Sequence, residues 1–295
     1  MREKKPHIPL EQLIKEAKDL SIDFTKEGLG AWSMSKIKVL QKCPLKFFLQ
    51  YVLKYKPENP VISMVTEAGK AAHRVLEFVT NGKNLTQAYA LTRKEFGHMP
   101  EEIWEQEVAT LEYSIQKFSE KLEEFQKVWG IKRIFQELRI GVTKDWEPTG
   151  FFADDVYFRG VIDLAIQLSN GDLLLIDHKK GLPAICGIRN SKDQLDSYKV
   201  LFHHGIEKIN GAQAGIHFIK DGEIKLDDYV DANEISIRLK NILEFTIQGA
   251  IDRLLGIGYF KHYACNICKY CEFSDVCKSG GYKTLEKETS SFFLV

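Results

Sequence analysis

The sequence lacks three features that would narrow its class at once: an excess of charge of one sign, a long apolar run and a repeated segment. Lys and Arg together number 41, and so do Asp and Glu, so the formal net charge is zero. Any affinity for a polyanion must then come from local patches rather than from bulk charge. No apolar run approaches the roughly 20 residues that cross a membrane, and the N-terminal stretch is too charged for a secretory signal. We therefore expect a cytoplasmic protein with no membrane partner.

Residues 160–181, which read GVIDLAIQLSNGDLLLIDHKKG, are predicted to form a β-hairpin. Two runs rich in Val, Ile and Leu flank Asn170-Gly171, and an Asn-Gly pair between apolar runs is the strongest short-range sign of a hairpin turn. Asp163 lies near the start of the first strand and Asp177 near the end of the second. We therefore expect these two carboxylates to face each other across the hairpin.

The second strand of this hairpin ends in charged residues. Asp177 and Lys179 follow a run that is apolar enough to be buried on both faces, where an unpaired charge is costly. Because side chains alternate along a strand, Asp177 and Lys179 should point the same way and His178 the opposite way. Two carboxylates with an ammonium beside them can hold Mg²⁺ or Mn²⁺ through oxygen ligands. The alternative is an ordinary solvated strand end.

The cysteines are concentrated near the C-terminal end of the sequence. Four of the six fall within thirteen residues, at Cys265, Cys268, Cys271 and Cys277. In a cytosolic protein such a cluster indicates metal or iron–sulfur ligation rather than disulfides. The spacing alone fits either a local tetrahedral zinc site or the ligands of an iron–sulfur cluster.

Three further predicted elements carry candidate site residues. They are His73 in a helix over residues 67–80, Glu137 in a strand over residues 131–142, and Gln194 and Tyr198, one turn apart, in a helix over residues 193–202. Taken alone, each is ordinary: a surface or core histidine, a strand-edge carboxylate, or polar residues on a helix surface.

The segment from Lys36 to Lys56 is basic and aromatic. It holds six lysines, no acidic residue and four interleaved aromatic residues, Phe47, Phe48, Tyr51 and Tyr55. This pattern suits a single-stranded nucleic acid, with lysines on the backbone and rings on the bases. It equally suits ordinary helices with the rings in the core, of which Ser35 can cap the first and Pro44 can open the second.

The ordered set of motifs resembles the PD-(D/E)XK nuclease superfamily, specifically its RecB-like exonuclease branch. The elements that carry the resemblance are Gly69 to His73, Gly160-Val-Ile-Asp163, Asp177-His-Lys179, Gln194 to Tyr198 and an early Cys43-Pro-x-x-Phe47 segment. Each element alone is weak, whereas their order along the chain is specific.

This resemblance implies a metal-dependent hydrolase of DNA that acts on ends or single strands. The implied ligands of one or two Mg²⁺ or Mn²⁺ ions are Asp163 and Asp177, helped by His73, Glu137 and the backbone carbonyl of His178. Lys179 is implied to orient the attacking water or to stabilise negative charge on the phosphate, and Gln194 and Tyr198 to position the strand.

The resemblance also implies a 4Fe–4S cluster that joins two distant segments. In iron–sulfur RecB-like nucleases, among them CRISPR-associated exonucleases and AddB-type helicase–nuclease subunits, one early cysteine joins three near the C-terminus. By position, the ligands here are Cys43, Cys268, Cys271 and Cys277. Cys265 is an extra thiol and an alternative ligand, and Zn²⁺ is the alternative metal.

The predicted elements together give an α/β fold of the restriction-endonuclease type, with a mixed central sheet flanked by helices. The expected parts are a helical extension (1–31), a nuclease domain (32–278) with a helical insertion (about 84–129), and a tail (279–295). No phosphate-binding Gly-x-x-x-x-Gly-Lys-Ser/Thr motif is present, so any unwinding needs a helicase or other recombination protein as partner. Two alternatives stay open: a non-catalytic DNA-binding or scaffolding subunit, and a zinc-stapled interaction protein.

Overall fold

A computed structural model describes residues 30–52, 54–56, 64–181, 188–255, 268, 271–273 and 277. The chain divides into two compact units, Ser63–Leu243 and Met1–Ile62 with Glu244–Val295. Almost all of the predicted N-terminal extension, the C-terminal tail and Cys265 lie outside the described residues. The domain boundaries predicted from the sequence therefore remain predictions.

A seven-stranded mixed sheet forms the centre of the unit Ser63–Leu243. Its strands are β1 (Ile131–Val142), β2 (Pro148–Thr149), β3 (Phe158–Leu168), β4 (Leu173–Lys179), β5 (Gly211–Phe218), β6 (Glu223–Leu226) and β7 (Val230–Asp231). Their spatial order is β2-β1-β3-β4-β5-β6, with β7 also on β5, and only β4 and β5 run parallel. The predicted hairpin around Asn170-Gly171 is present, and a second hairpin joins β5 and β6 around Asp221-Gly222.

Helices cover both faces of this sheet. The α-helices of the described residues are, in chain order, α1 (Met34–Lys42), α2 (Pro44–Phe47), α3 (Met64–Thr80), α4 (Leu85–Glu95), α5 (Glu101–Glu107), α6 (Glu112–Trp129), α7 (Ile188–Gly205), α8 (Ala232–Glu234) and α9 (Lys240–Leu255). Of these, α3 to α8 lie within the unit that contains the sheet. Along β4, His178 contacts Phe118 of α6, whereas its neighbour Asp177 contacts Gln194 of α7. Neighbouring strand residues point to opposite faces, so α6 and α7 lie on opposite sides of the sheet. The predicted restriction-endonuclease-like α/β fold is confirmed.

The core beneath α3 and α6 is built from alternate residues of the central strands. Leu164 and Ile166 of β3 and Ile176 of β4 are buried there with Ala72 of α3 and Phe118 of α6. At roughly 1.5–3 kcal/mol for each large apolar side chain removed from water, this layer holds the two helices on the sheet.

Strands β1 and β3 form a ribbon whose two faces exchange partway along its length. Phe135 and Ile140 are five positions apart on β1, so regular alternation would put them on opposite faces. Both nevertheless contact α7: Phe135 contacts Phe202, and Ile140 lies against Gly205. On β3, a Cβ at Gly160 would lie 3.5 Å from Tyr198 of α7, while Leu164 lies in the core beneath α3. Strict alternation cannot produce either pair of contacts. The inversion falls at Glu137 and Asp163.

The described residues of the other unit form a small core of their own. Ser33 accepts a hydrogen bond from the backbone N–H of Lys36 (3.2 Å) and caps α1, two residues before the predicted Ser35, and Pro44 opens α2 as predicted. Leu45, Phe48, Leu49 and Phe273 are buried together. Among the described residues, no helix is both long and apolar enough to cross a bilayer.

Candidate active site

Asp163 and Asp177 meet at the end of the β3–β4 hairpin. The ladder between the two strands ends at the pair Leu164 and Ile176, so the next residues along, Asp163 and Asp177, stand opposite each other. Beyond that pair, a hydrogen bond to a side chain replaces the backbone hydrogen bonds of the ladder: the backbone N–H of His178 donates to Asp163 Oδ2 at 2.7 Å. This bond fixes the first carboxylate against the strand that carries the second.

Asp177 is held from two sides by charged and polar partners. Lys179 Nζ lies 2.7 Å from Asp177 Oδ2, and Gln194 Nε2 donates to Asp177 Oδ1 at 3.2 Å. Gln194 Nε2 also donates to the hydroxyl of Tyr198 at 2.6 Å. Asp177 is only 1% exposed, so the Lys179 ammonium and the Gln194 amide are the partners that its buried carboxylate needs in the absence of a metal ion.

His73, Glu137 and Asp163 bring three potential metal ligands together. One ligand atom of each lies within 4.8 Å of the others. His73 Nε2 is also 3.0 Å from the backbone carbonyl oxygen of His178, the fifth predicted ligand. Asp177 is not part of this group of three, so the predicted ligands form one compact group with a second carboxylate beside it.

A small cavity lies at the centre of this group. Its volume is about 10 Å³, which is room for about one water molecule or one ion. It is lined by His73, Glu137, Asp163 and His178, together with Leu76, Glu77, Thr80, Gln136 and Leu164. The donor set of carboxylates, a carbonyl and one imidazole fits Mg²⁺ or Mn²⁺, which prefer oxygen ligands.

Glu137 reaches the cavity through an unusual backbone conformation. Its φ is +46°, in the left-handed region that a residue with a Cβ rarely adopts. Its neighbours Gln136 and Leu138 pair with Leu164 and Ile162 of β3, but Glu137 itself is not part of the ladder. Strain of this kind costs about 1–3 kcal/mol and occurs preferentially at functional sites.

The acids of the site repel one another. Burial and then the charge of Asp177 raise the pKa of Asp163 to about 7, against the opposing effects of the His178 N–H and Lys179. The pKa of Glu137 is also raised. The main cause is partial desolvation of the carboxylate, which keeps some exposed surface, and the second is the negative charge of Asp163. Burial lowers the pKa of His73, so its imidazole is neutral and able to act as a ligand at neutral pH. A cation among these groups would offset the repulsion.

The four described cysteines of the predicted cluster lie close to one another and form no disulfide. Cys43, Cys271 and Cys277 all contact the small core of Phe48 and Phe273. Burial, and then the other three described thiols, raise the pKa of Cys277 to about 12. The four sulfurs are therefore near enough to interact, and thiols are donors suited to zinc or to an iron–sulfur cluster.

Several residues around the site were not predicted from the sequence. Glu77, Thr80 and Gln136 line the cavity, and Glu77 lies four residues after His73 on the same face of α3. His217 of β5 is fully buried and lies 2.9 Å from His178, Nδ1 to Nδ1. A lone histidine in the apolar run of β5 was the only sequence signal for it.

The basic and aromatic segment is accounted for mainly by packing. Phe47 and Phe48 are buried, and Tyr55 contacts Phe273. Lys36 is buried as well, with its Nζ 3.3 Å from the carbonyl oxygen of Ala31. The ordinary interpretation of these residues is correct, and they offer no row of exposed rings for bases.

This fold, with one acid in the middle of β3 and an acid and a lysine at the end of the neighbouring β4, is typical of metal-dependent nucleases. The chain belongs to the PD-(D/E)XK nuclease superfamily, whose family model matches residues 31–278. No curated protein matches it.

Two solved structures are similar to the chain at low identity. The protein in the crystal structure of SSO0001 shares 14% sequence identity with this chain; the TM-score is 0.35, and the match covers 91% of this chain and 95% of that one. A candidate exonuclease from Eubacterium rectale is 10% identical, with a TM-score of 0.43 over 85% of this chain and 88% of that one. The family assignment rests on the superfamily match alone.

Proposed function

We propose that this chain is a deoxyribonuclease of the RecB-like branch that depends on Mg²⁺ or Mn²⁺ and acts on DNA ends or single strands. The observation that carries the proposal is the meeting of His73, Glu137 and Asp163 around one cavity, beside the Asp177–Lys179 pair. Its biological setting would be recombination, repair or related nucleic-acid processing, with unwinding supplied by a helicase or another partner.

His73, Glu137, Asp163 and the carbonyl of His178 would hold the ion, with Asp177 as an additional or bridging ligand. A bound divalent ion supplies charge neutralisation at the phosphate and a lower pKa for a nearby water. The residues of the chain supply its position: the His178 N–H fixes Asp163, and the Gln194 amide fixes Asp177.

Lys179 would supply a positive charge beside the scissile phosphate. Its ammonium lies 2.7 Å from Asp177, so it stands within reach of a phosphate oxygen that approaches the same carboxylate. There it can orient the attacking water or stabilise the negative charge that develops on the phosphate. Gln194 and Tyr198 act together, because the two side chains are hydrogen-bonded and share one face of α7. They would orient Asp177 and line the path of the strand.

The test is cleavage of end-labelled linear DNA and of circular single-stranded DNA, with Mg²⁺, Mn²⁺ or EDTA. We expect metal-dependent loss of the linear substrate while circles stay whole. Asp177→Asn and Lys179→Met should each abolish cleavage and leave the circular dichroism spectrum unchanged. Lys121→Met, at an exposed ion pair on α6, is the matched control and should cleave normally. DNA binding without cleavage by the wild type would favour a non-catalytic subunit.

We further propose that Cys43, Cys268, Cys271 and Cys277 hold a 4Fe–4S cluster. The proposal is supported by four neighbouring cysteines, of which Cys43, Cys271 and Cys277 pack against one small core. Such a cluster would link residues far apart in sequence and stabilise the fold by closing a long loop.

Anaerobic purification followed by iron, sulfide and zinc analysis tests this cluster. We expect a brown protein whose colour is lost in Cys43→Ser and kept in Cys265→Ser. A colourless wild type with one zinc per chain would support the zinc-stapled alternative. Loss of colour in Cys265→Ser but not in Cys43→Ser would move the fourth ligand to Cys265.

A further inference from the structure

The connection between β2 and β3 presents an exposed aromatic ring at the end of the ribbon that carries the active site. Phe152 is 75% exposed, although it lies in a well-braced loop. The backbone N–H of Ala153 donates to the carbonyl of Gly150 at 3.0 Å, and Thr149 donates to Asp155 at 2.6 Å. The exposed ring is thus held in place rather than left on a loose tip.

Two neighbours fix the orientation of this ring. Phe151 contacts Phe152 edge to face, with ring centroids 4.9 Å apart and an interplanar angle of 82°. The guanidinium of Arg159 lies 4.8 Å from the centre of Phe151 and 5.6 Å from the centre of Phe152. Arg159 also donates to the carbonyl oxygen of Phe151 at 2.9 Å. Single exposed aromatic residues are common, but a ring that is held by contacts with both a second ring and an arginine is preorganised for a flat ligand.

The position of this group relative to the active site follows from the strand that connects them. Arg159 and Asp163 both belong to β3 and are four residues apart. At about 3.3 Å per residue, the two positions lie roughly 13 Å apart along the ribbon. A stacked nucleic-acid strand rises about 3.4 Å per nucleotide, so the span corresponds to about four nucleotides.

We propose that Phe151, Phe152 and Arg159 form a stacking platform for an unpaired base of single-stranded DNA, a few nucleotides from the scissile phosphate. The proposal rests on the proposed nuclease function and adds a contact outside the metal site. A base is a flat, largely neutral ligand that an exposed phenyl ring binds regardless of sequence. The charges near the platform agree with this choice, because Asp154 and Asp155 in the same loop offset Arg159. Stacking, rather than attraction of phosphates, therefore supplies the binding free energy at this point.

The proposal is tested by binding of dye-labelled oligothymidylates to the full-length protein carrying Asp177→Asn, so that cleavage does not intervene. Phe152→Ala should weaken binding of a 12-nucleotide strand by roughly 5- to 150-fold, the loss expected for one stacked base. Phe152→Trp should bind as tightly as the parent, and Phe152→Leu, which is apolar but cannot stack, should lose most of the affinity.

Strand length and salt distinguish stacking at Phe152 from ionic attraction and from a general loss of binding. A thymidine mononucleotide bound at the metal site is too short to reach Phe152, so Phe152→Ala should bind it as the parent does. The fold-loss on the longer strand should stay nearly constant as salt rises, although overall affinity falls. Tyr113→Ala on α6, which removes a ring of equal 75% exposure, is the matched control and should change nothing.

Three results would overturn the platform. They are equal binding by Phe152→Ala and the Tyr113→Ala control, full retention of affinity by Phe152→Leu, and an equal loss on the mononucleotide and the longer strand. In each case the parent still binds DNA, so the nuclease proposal survives. A parent protein that binds no oligonucleotide at all, with or without Mg²⁺, would overturn both proposals together.

Discussion

Glu137 offers a direct test of the strained conformation at the centre of the site. In metal-free protein we compare Glu137→Ala with Glu137→Gly, two changes that both remove the carboxylate and differ only in the Cβ atom. A residue with a Cβ at φ near +46° carries a penalty of roughly 1–2 kcal/mol that glycine avoids. Against that gain stands the greater flexibility of glycine in the unfolded chain, which costs about 0.5–1 kcal/mol.

A control position on the same strand removes the second effect. Arg139 is exposed and pairs regularly with Val161 of β3. There, the change from Ala to Gly should cost about 0.5–1 kcal/mol. Because the unfolded-state effect is nearly the same at both positions, the difference between the two Ala-to-Gly changes isolates the strain. We expect it to be about 1–2 kcal/mol, with glycine equal to or better than alanine at position 137.

The measurement is the free energy of unfolding in urea, with EDTA present, for the four variants. At a slope of about 3 kcal/mol per molar urea, the double difference corresponds to roughly 0.5 M in the midpoint. If glycine is worse than alanine by the same amount at 137 and 139, then Glu137 is not in the left-handed region and the inverted ribbon is wrong. Both Glu137 variants should also lose metal-dependent activity, since a ligand is gone in either.

Two further predictions concern buried charge and pH. Lys199 of α7 is fully buried and lies 2.5 Å from Asp227 and 3.4 Å from Asp196. Asp227→Ala should therefore lower the free energy of unfolding by about 3–5 kcal/mol, because it leaves the ammonium with one distant partner. Glu124→Ala at the exposed pair with Lys121 should cost at most about 1 kcal/mol, and similar losses for the two variants would contradict the argument.

His203 is only 5% exposed, and burial, followed by Lys208, lowers its pKa to about 4. Between pH 6.5, which is about the pKa of an unperturbed histidine, and pH 4, the unfolded chain binds a proton at His203 that the folded chain does not. The free energy of unfolding therefore falls as pH falls. The loss is at most about 3 kcal/mol, and less where water reaches the ring from the cavity that it lines. His203→Gln should flatten the decline in melting temperature between pH 6.5 and 4; an unchanged slope would show that His203 titrates normally.

The sequence was a good guide wherever structure follows from local pattern. The strand over residues 131–142 is present with the predicted ends. The turn at Asn170-Gly171 is present because Gly171 has φ +87°, which its lack of a Cβ permits. With the turn placed, counting residues along the hairpin brings Asp163 to within one position of Asp177, and alternation gives Asp177 and Lys179 a common direction. The exact register depends on the loop, which holds three residues (169–171) and so sets Asp163 opposite Asp177, where a two-residue turn would set it opposite His178.

What could not be predicted depends on contacts distant in sequence. Alternation predicts one face for Phe135 and the other for Ile140, whereas both contact α7 and the left-handed Glu137 lies between them. Lys199 reads as an exposed lysine on a polar helix, and only the fold brings Asp227 to it. Helix α7 begins at Ile188, five residues before the predicted start at Asp193.

The inverted ribbon also constrains how this protein can change. A strand with one uniform inner face tolerates a slip of two residues, because the same side chains remain inside. Here such a slip would carry Glu137 and Asp163 away from His73 and would turn core residues on both sides of the crossing toward the wrong helix. Insertions and deletions should accordingly be confined to the loop between β2 and β3. The number of residues between Glu137 and Ile140, which contacts α7, should not vary.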